Sequence, residues 1–156
     1  MTRVYRLLRE PFAANPFEGE GSYRFGGRWS SVGTRLVYTA EHLSLAMLEY
    51  MAHLDANGLP GDLALAQAEI PDSMSRRQLR PADLPEEWLR FPAPSAIACI
   101  GDQFIQQAET ALLIVPSALA PVEDNWLINP AHPEFQLLRI LPTERFQYDR
   151  RLLRSI

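Results

Sequence analysis

The chain has 156 residues, a hydrophobic content of 47% and a formal net charge of −4. This length is typical of one domain, so we expect residues 1–156 to form a single domain, and the globular composition excludes general disorder. The acidic balance argues against direct contact with nucleic acid, and the single cysteine excludes an intrachain disulfide or a cysteine-based zinc cage.

All 15 basic residues are arginine. Any bound anion must therefore be held by arginine side chains, backbone amides or hydroxyl groups. No apolar run reaches the ~20 residues that a membrane span needs, and the first residues lack the apolar region of a signal peptide. We expect a cytoplasmic protein with no membrane contact.

The predicted elements are short because 13 prolines interrupt the chain. Strands are predicted at residues 4–8, 35–39, 63–70, 111–115, 126–128 and 135–141, with a further one near 146–153. Helices are predicted at 41–55, ended by Asn57-Gly58, and at 95–108. Residues 15–34, with five glycines, are predicted to form a loop, and 72–93 an irregular segment with a helical turn at 84–88. Many short strands with two helices favour an α+β fold.

The helix predicted at 41–55 is apolar on nearly all sides, with Glu49 and His53 as its main polar interruptions. We therefore expect it to be buried. A buried carboxylate is rare unless it is paired or has a chemical role, because removing its charge from water is costly. Two interpretations of Glu49 follow: a catalytic acid, or a structural ion pair with an arginine or His53.

The segment Gly26-Gly27-Arg28-Trp29 is a second candidate. Two glycines allow the backbone to approach a ligand closely, and Arg28 offers a planar pair of donors to phosphate or carboxylate. The segment matches neither the dinucleotide-binding glycine pattern nor a phosphate-binding P-loop. The alternative is a surface turn with a solvated arginine.

Ser117 directly follows the apolar segment that ends at Val115-Pro116. A serine at a strand end is well placed to meet a ligand, although it lacks the GxSxG pattern of a hydrolase nucleophile. The alternative is a turn or helix-capping serine. Scattered histidines give no metal-ligand spacing, so we expect His132 to be structural and the protein to hold no metal.

Three further residues are ambiguous from the sequence. Tyr38 and Arg6 lie in predicted strands, where each either belongs to the packed sheet or faces a ligand pocket. Asn125, next to the strand predicted at 126–128, is predicted to form a rigid polar loop together with residues 129–133.

Taken together, these segments resemble the RES domain family, which is named after an arginine, a glutamate and a serine. The resemblance covers roughly residues 3–140. It rests on the order and spacing of Val4-Tyr5-Arg6, Gly26-Gly27-Arg28-Trp29, Val37-Tyr38-Thr39-Ala40, Leu48-Glu49, Asp83-Leu84-Pro85 with Trp88, Ile100-Gly101-Asp102, Val115-Pro116-Ser117 and Asn125–Pro133. One departure is Ser30, where the family more often has asparagine.

The resemblance implies an ADP-ribosyltransferase-like fold of short mixed and antiparallel sheets with a few helices. It also implies the toxin of a bacterial toxin–antitoxin pair, which depletes NAD by glycohydrolysis or phosphorolysis of the nicotinamide–ribose bond. The implied partner is an Xre-type antitoxin with a helix-turn-helix region, which covers the active site and contacts DNA on the toxin's behalf. NAD is then the substrate, and no other cofactor is expected.

The resemblance also implies roles for the candidate residues. Glu49 would stabilise the cationic sugar of the transition state, and Ser117 would bind the nicotinamide ribose or position the acceptor. Arg28 and Arg6 would hold the pyrophosphate or a ribose, Tyr38 would stack on nicotinamide, and Asn125 would line the NAD pocket. Two alternatives stay open: a mono-ADP-ribosyltransferase that modifies a host protein, and an inert NAD-sensing or regulatory module.

Overall fold

The computed structural model of the protein describes residues 1–54, 58 and 60–153. In that part of the chain, eight strands form one sheet. They are β1 (Thr2–Arg9), β2 (Val37–Ala40), β3 (Leu63–Ile70), β4 (Arg76–Gln78), β5 (Leu112–Pro116), β6 (Asp124–Ile128), β7 (Arg139–Ile140) and β8 (Glu144–Phe146). The helices are α1 (Glu20–Phe25), α2 (Leu43–Met51) and α3 (Ser95–Gln107), with short 3-10 helices between elements.

The order across the sheet is β4-β5-β6-β2-β1-β3-β7, and β8 also pairs with β3. Strands β4 and β5 are parallel, whereas the other pairs are antiparallel. This mixed sheet with few helices confirms the predicted α+β class. The bounds of β3 are those predicted, and α3 differs from its prediction by one residue.

Two predictions of local structure were wrong. The loop predicted at 15–34 contains α1, which is bracketed by Gly19 at φ +75° and Gly26 at φ +70°. The glycines that suggested a loop serve instead as the residues that begin and end a helix in left-handed conformations. The strand predicted at 135–141 is mostly the 3-10 helix Pro133–Leu137, followed by β7. Pro133 favours a helical start because its ring fixes φ near the helical value.

The other differences concern the bounds of elements. The segment 72–93 contains β4, and Trp88 N–H donates to Pro85 O (3.0 Å) in a turn. The tail forms β8 and then the 3-10 helix Arg150–Leu153 rather than one strand.

Helix α2 is shorter and less buried than its sequence suggests. It starts at Leu43 because the preceding Glu41 still hydrogen-bonds to Asp124 of the neighbouring strand. The predicted end at Asp55–Asn57 lies outside the described residues. Leu45 is fully buried, but Leu48 is 48% exposed. The helix contacts the sheet through one face only, and the apolar residues of its other face remain at the surface.

The sheet is packed on both faces, since side chains alternate along each strand. One face carries the larger core, which includes Val4, Ala66, Ile114 and Ile128. The other carries Leu113, Val115 and Leu127, which pack against α3, and Ala40, which packs against α2. We call this second surface the helix-covered face.

The sheet opens between β1 and β2. Strand β1 pairs with β3 over its whole length, and β2 pairs with β6 over its whole length, whereas β1 and β2 are in register only at Tyr5 and Ala40. Beyond that pair, the second half of β1 and the first half of β2 separate. The result is a gap in the sheet beside the helix-covered face. Among the described residues, no helix is long and apolar enough to cross a membrane.

Candidate active site

The structure brings Glu49 and Ser117 into direct contact. The Ser117 hydroxyl donates a hydrogen bond of 2.7 Å to Glu49 Oε1. The two residues are 68 positions apart, one on α2 and the other directly after β5. The tertiary fold therefore joins two predicted site residues that are far apart in the sequence.

The hydroxyl of Ser117 is fully occupied by protein. Besides donating to Glu49, it accepts hydrogen bonds from the backbone N–H groups of Leu119 (3.1 Å) and Ala120 (3.2 Å). Its own N–H donates to Glu123 O (2.9 Å), and the side chain is completely buried. This arrangement fixes the direction of the hydroxyl proton, which points at the carboxylate.

The position of Glu49 is set by the packing of α2. Leu45 and Ala46 of this helix pack on Ala40 of β2. From the other side, the buried Tyr148 donates its hydroxyl to Met47 O at 2.6 Å. The C-terminal segment therefore fixes α2 at Met47, two residues before Glu49.

The carboxylate of Glu49 has no ion pair in the described part of the chain. His53 directs Nδ1 to the backbone oxygen of Glu49 (2.7 Å) rather than to its carboxylate. In the described part of the chain, Glu49 therefore does not form the structural ion pair with an arginine or His53 that was the alternative interpretation. One carboxylate oxygen is bound to Ser117, which leaves Oε2 for another group.

Asn125 and Tyr38 extend the site along the helix-covered face. Asn125 lies in register with Val115 on one side and with Ala40 on the other. Tyr38 is two residues from Ala40 on β2, so it is a diagonal neighbour of Asn125 on the same face. Ser117 comes two residues after Val115, and it lies on the opposite side of Asn125 from Tyr38. Asn125 thus lies between the tyrosine and the Glu49–Ser117 pair.

Tyr38 supports the glycine-rich segment. Its hydroxyl accepts a hydrogen bond from Trp29 N (3.1 Å) and shares one of 2.7 Å with the Ser30 hydroxyl. A Cβ atom on Gly27 would lie 2.6 Å from the Tyr38 hydroxyl oxygen, so only glycine allows this approach. Burial raises the pKa of Tyr38 to about 12, against the opposing effect of the hydrogen bonds with Ser30 and Trp29. The phenol is therefore neutral at physiological pH.

Arg28 is held beside this tyrosine by backbone groups. Its Nη1 donates to Trp88 O (2.9 Å) and to Arg90 O (3.2 Å). Neutral carbonyls orient the guanidinium without cancelling its charge. The alternative of a freely solvated surface arginine does not apply, and the remaining N–H groups have no hydrogen bond to the described residues.

Helix α3 also holds the glycine-rich segment and the residues that follow it in place. Asp102 accepts hydrogen bonds from Ser31 N (2.9 Å), the Ser31 hydroxyl (2.6 Å) and the Thr34 hydroxyl (2.9 Å). A Cβ atom on Gly101 would lie 1.6 Å from Trp29 O, so the helix and the segment touch backbone to backbone.

Arg6 lies on the other face of the sheet from these residues. It is in register with Ala66, which belongs to the larger core. Its Nε atom is buried and has no hydrogen-bond partner among the described residues, and burial lowers the pKa of Arg6 to about 10. The guanidinium keeps its charge at neutral pH, but at a cost in desolvation.

Arg6 lines a cavity of about 230 Å³, together with Tyr50 of α2 and Phe12. Tyr50 packs on the helix-covered side and Phe12 on the opposite core. Most of the remaining lining comes from the second half of β1 and from α1, beside the gap, and apart from Arg6 the lining includes none of the predicted site residues.

One group of possible metal ligands lies near the site. Atoms of Glu41, His42 and Glu123 lie within 4.8 Å of one another, and His42 Nδ1 is 2.7 Å from Glu123 Oε1. His42 is exposed and is paired with Glu123, so the group is explained as a surface ion pair. His132 is structural, as predicted: its Nδ1 accepts a hydrogen bond from Glu134 N at the start of a 3-10 helix.

Two residues of the site were missed in the sequence. Tyr50 appeared only as part of the apolar face of its helix, although it lines the cavity beside Arg6. Tyr148 lies in a tail of no distinctive pattern, and nothing local indicates its contact with Met47. The position of Tyr50 directly after Glu49 was the signal in the sequence that could have identified it as a site residue.

The fold is similar to that of a protein of known structure. The structure superimposes on a chain of the M. tuberculosis MbcT–MbcA toxin–antitoxin complex with a TM-score of 0.76 and 17% identity. The match covers 94% of this chain and 84% of that one. At this identity the similarity concerns the fold alone: the mixed sheet with few helices is shared with that chain.

The sequence then defines the family. The sequence model of the RES domain matches residues 3–149. A protein of Sphingobium sp. (strain YBL2) named Prs ADP-ribosylating toxin is 39% identical, covering 99% of this chain and 98% of its own. Proteins named Toxin Res are 36% identical in Yersinia enterocolitica (96% and 98% covered) and 32% identical in Photorhabdus laumondii (97% and 97% covered). The chain belongs to the RES domain family.

Proposed function

We propose that this protein is the toxin of a toxin–antitoxin pair and that it cleaves the nicotinamide–ribose bond of NAD, which depletes the cell of NAD, with water or inorganic phosphate as the acceptor. The observation that carries the proposal is the 2.7 Å hydrogen bond from Ser117 to Glu49 Oε1, while Oε2 has no hydrogen bond to the described residues. The neighbouring Tyr50 of the same helix lines a cavity. A single oriented carboxylate is what this reaction requires, because its transition state resembles an oxocarbenium ion.

The chemical step needs no strong acid. The bond between ribose C1′ and the nicotinamide nitrogen breaks, and its electron pair leaves with the nitrogen. Because the bound ring is a pyridinium, nicotinamide departs as a neutral molecule. An oxygen of water or phosphate then forms the new bond to C1′, and an attacking water loses its proton to solvent. Glu49 stabilises the positive charge that develops on the sugar.

The arginines supply affinity in this proposal. Arg28 is oriented by two carbonyl groups and has no ion pair with the described residues, so it suits a pyrophosphate oxygen. Arg6 brings a buried donor without a partner into the cavity at the gap. A buried donor gains most from a ligand that satisfies it. Asn125 lies in register between Val115 and Ala40, where it borders the ribose, and the neutral Tyr38 offers a face to nicotinamide.

The partner in this proposal is an antitoxin with an Xre-type helix-turn-helix region, which covers the site and makes the DNA contacts. Two exposed apolar side chains flank the catalytic pair: Leu48 beside Glu49 and Leu119 near Ser117, each 48% exposed. Such groups suit a protein partner that buries them. The MbcT–MbcA structure, in which a toxin of this fold is bound to an antitoxin, supports the same view.

A second candidate differs only in the acceptor. The Sphingobium relative is named an ADP-ribosylating toxin, which favours transfer of ADP-ribose to a protein. The same carboxylate and the same bond cleavage serve both reactions. The third alternative, an inert NAD-sensing or regulatory module, uses the same pocket without turnover.

Product analysis separates these functions. The purified protein is incubated with labelled NAD, with and without phosphate, and with bacterial lysate. We expect ADP-ribose in buffer and a phosphorylated ADP-ribose with phosphate. Label retained on a lysate protein would favour the transferase. Unchanged NAD in all conditions would contradict both NAD cleavage and ADP-ribose transfer.

A matched pair of variants links the products to the site. Glu49→Gln is expected to lower kcat by about a hundredfold or more, because it removes the charge that faces the transition state. Glu109→Gln changes an exposed glutamate elsewhere and is expected to leave turnover unchanged. Equal rates in the two variants would place the chemistry outside this site.

A further inference from the structure

The loop that follows Trp88 brings an exposed aromatic ring close to Arg28. The Arg28 guanidinium donates to Trp88 O and to Arg90 O. The second of these carbonyls belongs to the peptide that joins Arg90 to Phe91. Phe91 therefore lies one peptide unit from the charged group to which we assign the pyrophosphate.

Phe91 has no packing role that explains its position. It is 86% exposed, and in the described part of the chain it is the most exposed aromatic side chain. Trp88, three residues earlier, is only 6% exposed and belongs to the core beneath α3. The buried Trp88 thus anchors the loop, while Phe91 of the same loop is exposed to solvent near Arg28.

We propose that the Phe91 ring is a stacking platform for the adenine base of the substrate. This inference rests on the proposed function, since it assigns the adenosine half of the same dinucleotide. A base stacks on an exposed aromatic face with little dependence on hydrogen bonding, and each such contact contributes substantially to affinity. The base of a dinucleotide is one ribose away from its pyrophosphate, which matches the short path from Arg28 to Phe91.

The assignment divides the substrate between two parts of the surface. The Arg28 side holds the adenosine and the pyrophosphate, while the gap between β1 and β2 and the Glu49–Ser117 pair take the nicotinamide ribose. The cavity at the gap, of about 230 Å³, is too small for a whole dinucleotide. The adenine subsite is therefore a source of affinity and of preference for dinucleotides over mononucleotides.

The test compares the binding of ADP and of inorganic pyrophosphate by calorimetry. Phe91→Ala is expected to weaken ADP binding about tenfold and to leave pyrophosphate binding unchanged. Phe91→Trp is expected to restore it. The control is Leu89→Ala, which removes a 51% exposed apolar side chain from the same loop and is expected to change neither affinity.

Several outcomes would overturn the inference. These are the absence of ADP binding in the wild type, equal ADP affinity in Phe91→Ala and wild type, a parallel loss of pyrophosphate affinity, or an equal effect of Leu89→Ala. If Phe91→Ala instead loses only the binding of the antitoxin, Phe91 is a partner contact and the subsite is wrong.

NAD turnover, measured on the same samples, reports on the proposed function separately. An ADP affinity that depends on Phe91 in a protein without NAD turnover would keep the subsite and reject the reaction. If NAD is cleaved, Phe91→Ala is expected to raise KM for NAD about tenfold and leave kcat unchanged. Cleavage with an unchanged KM would reject the subsite and keep the reaction.

Discussion

At the scale of single residues, Ser117 is the clearest example of a side chain whose surroundings indicate its role. Its hydroxyl accepts two backbone hydrogen bonds and donates one to Glu49, and the side chain has no exposed surface. A group with all its hydrogen-bonding capacity used by protein is poorly suited to bind a substrate ribose. We therefore regard Ser117 as a positioning residue that holds one oxygen of Glu49.

Ser117→Ala is expected to lower kcat for NAD about 10-fold to 100-fold, with little change in KM, because a charge-assisted hydrogen bond to the catalytic group is lost. Steady-state kinetics measures both constants. Ser44→Ala, which changes an exposed serine on the same helix as Glu49, is the control. A rise in KM with unchanged kcat would show that Ser117 binds substrate directly.

At the scale of elements, the contact between α3 and the glycine-rich segment positions Arg28. Gly101 lets Trp29 O approach the helix backbone, and Asp102 binds the two hydroxyl residues that follow. This explains why the segment Ile100-Gly101-Asp102, which carries part of the family resemblance, has a glycine and a carboxylate at these two positions.

Gly101→Ala is expected to destabilise the protein by about 3 kcal/mol or more, because the new Cβ atom overlaps a backbone carbonyl that cannot move freely. Gly21→Ala is the control, since a Cβ atom there meets nothing within 4 Å. It is expected to be neutral or up to about 1 kcal/mol more stable, as alanine favours the helix. Urea unfolding measures both, and equal stability of the two variants would contradict this account.

Asp102 makes the same contact dependent on pH. Burial raises the pKa of this carboxyl group, but the hydrogen bonds from Ser31 and Thr34 outweigh that effect, and the pKa lies below its ordinary value of 3.8. The contribution to stability is therefore present above pH ~4 and is lost as the pH falls through the lower pKa of the folded state.

The stability difference between wild type and Asp102→Asn is expected to be largest near neutral pH and to shrink below pH ~4. Urea unfolding at pH 7 and pH 3 measures this difference. A difference that stays constant over this range would mean that the charge of Asp102 is not involved.

At the scale of the whole molecule, β1 and β2 pair only at Tyr5 and Ala40, and Arg6, the next residue of β1, lines the cavity beside the resulting gap. The cost is a buried guanidinium nitrogen without a partner in the free protein. A fold that maintains such a group gains from a ligand that satisfies it.

Arg6→Met is expected to stabilise the free protein by about 1 kcal/mol and to weaken the stabilisation by bound ADP-ribose. Thermal unfolding with and without ADP-ribose measures both effects. Arg77→Met, at an exposed arginine of β4, is the control for the loss of a charge. A ligand-dependent shift of the same size in Arg6→Met and wild type would remove Arg6 from the site.

Local physics was sufficient for much of the fold. The eight-residue strand β3 and helix α3 were predicted nearly to the residue, because the pattern of apolar side chains and the flanking prolines act over short distances. The glycines before residue 35 were misleading for the same reason: a glycine favours left-handed backbone whether it lies in a loop or at the end of a helix. The α+β class and the candidate residues Glu49, Arg28, Tyr38 and Ser117 came from the sequence.

Only the tertiary structure decided how these residues are related. The contact between Glu49 and Ser117 joins positions 68 residues apart, and the face on which Arg6 lies follows from strand register. The gap between β1 and β2 depends on where two strands stop pairing, and the burial of Tyr148 depends on a segment a hundred residues from the helix it holds. Such relations arise from the sum of long-range packing, which no local pattern of residues encodes.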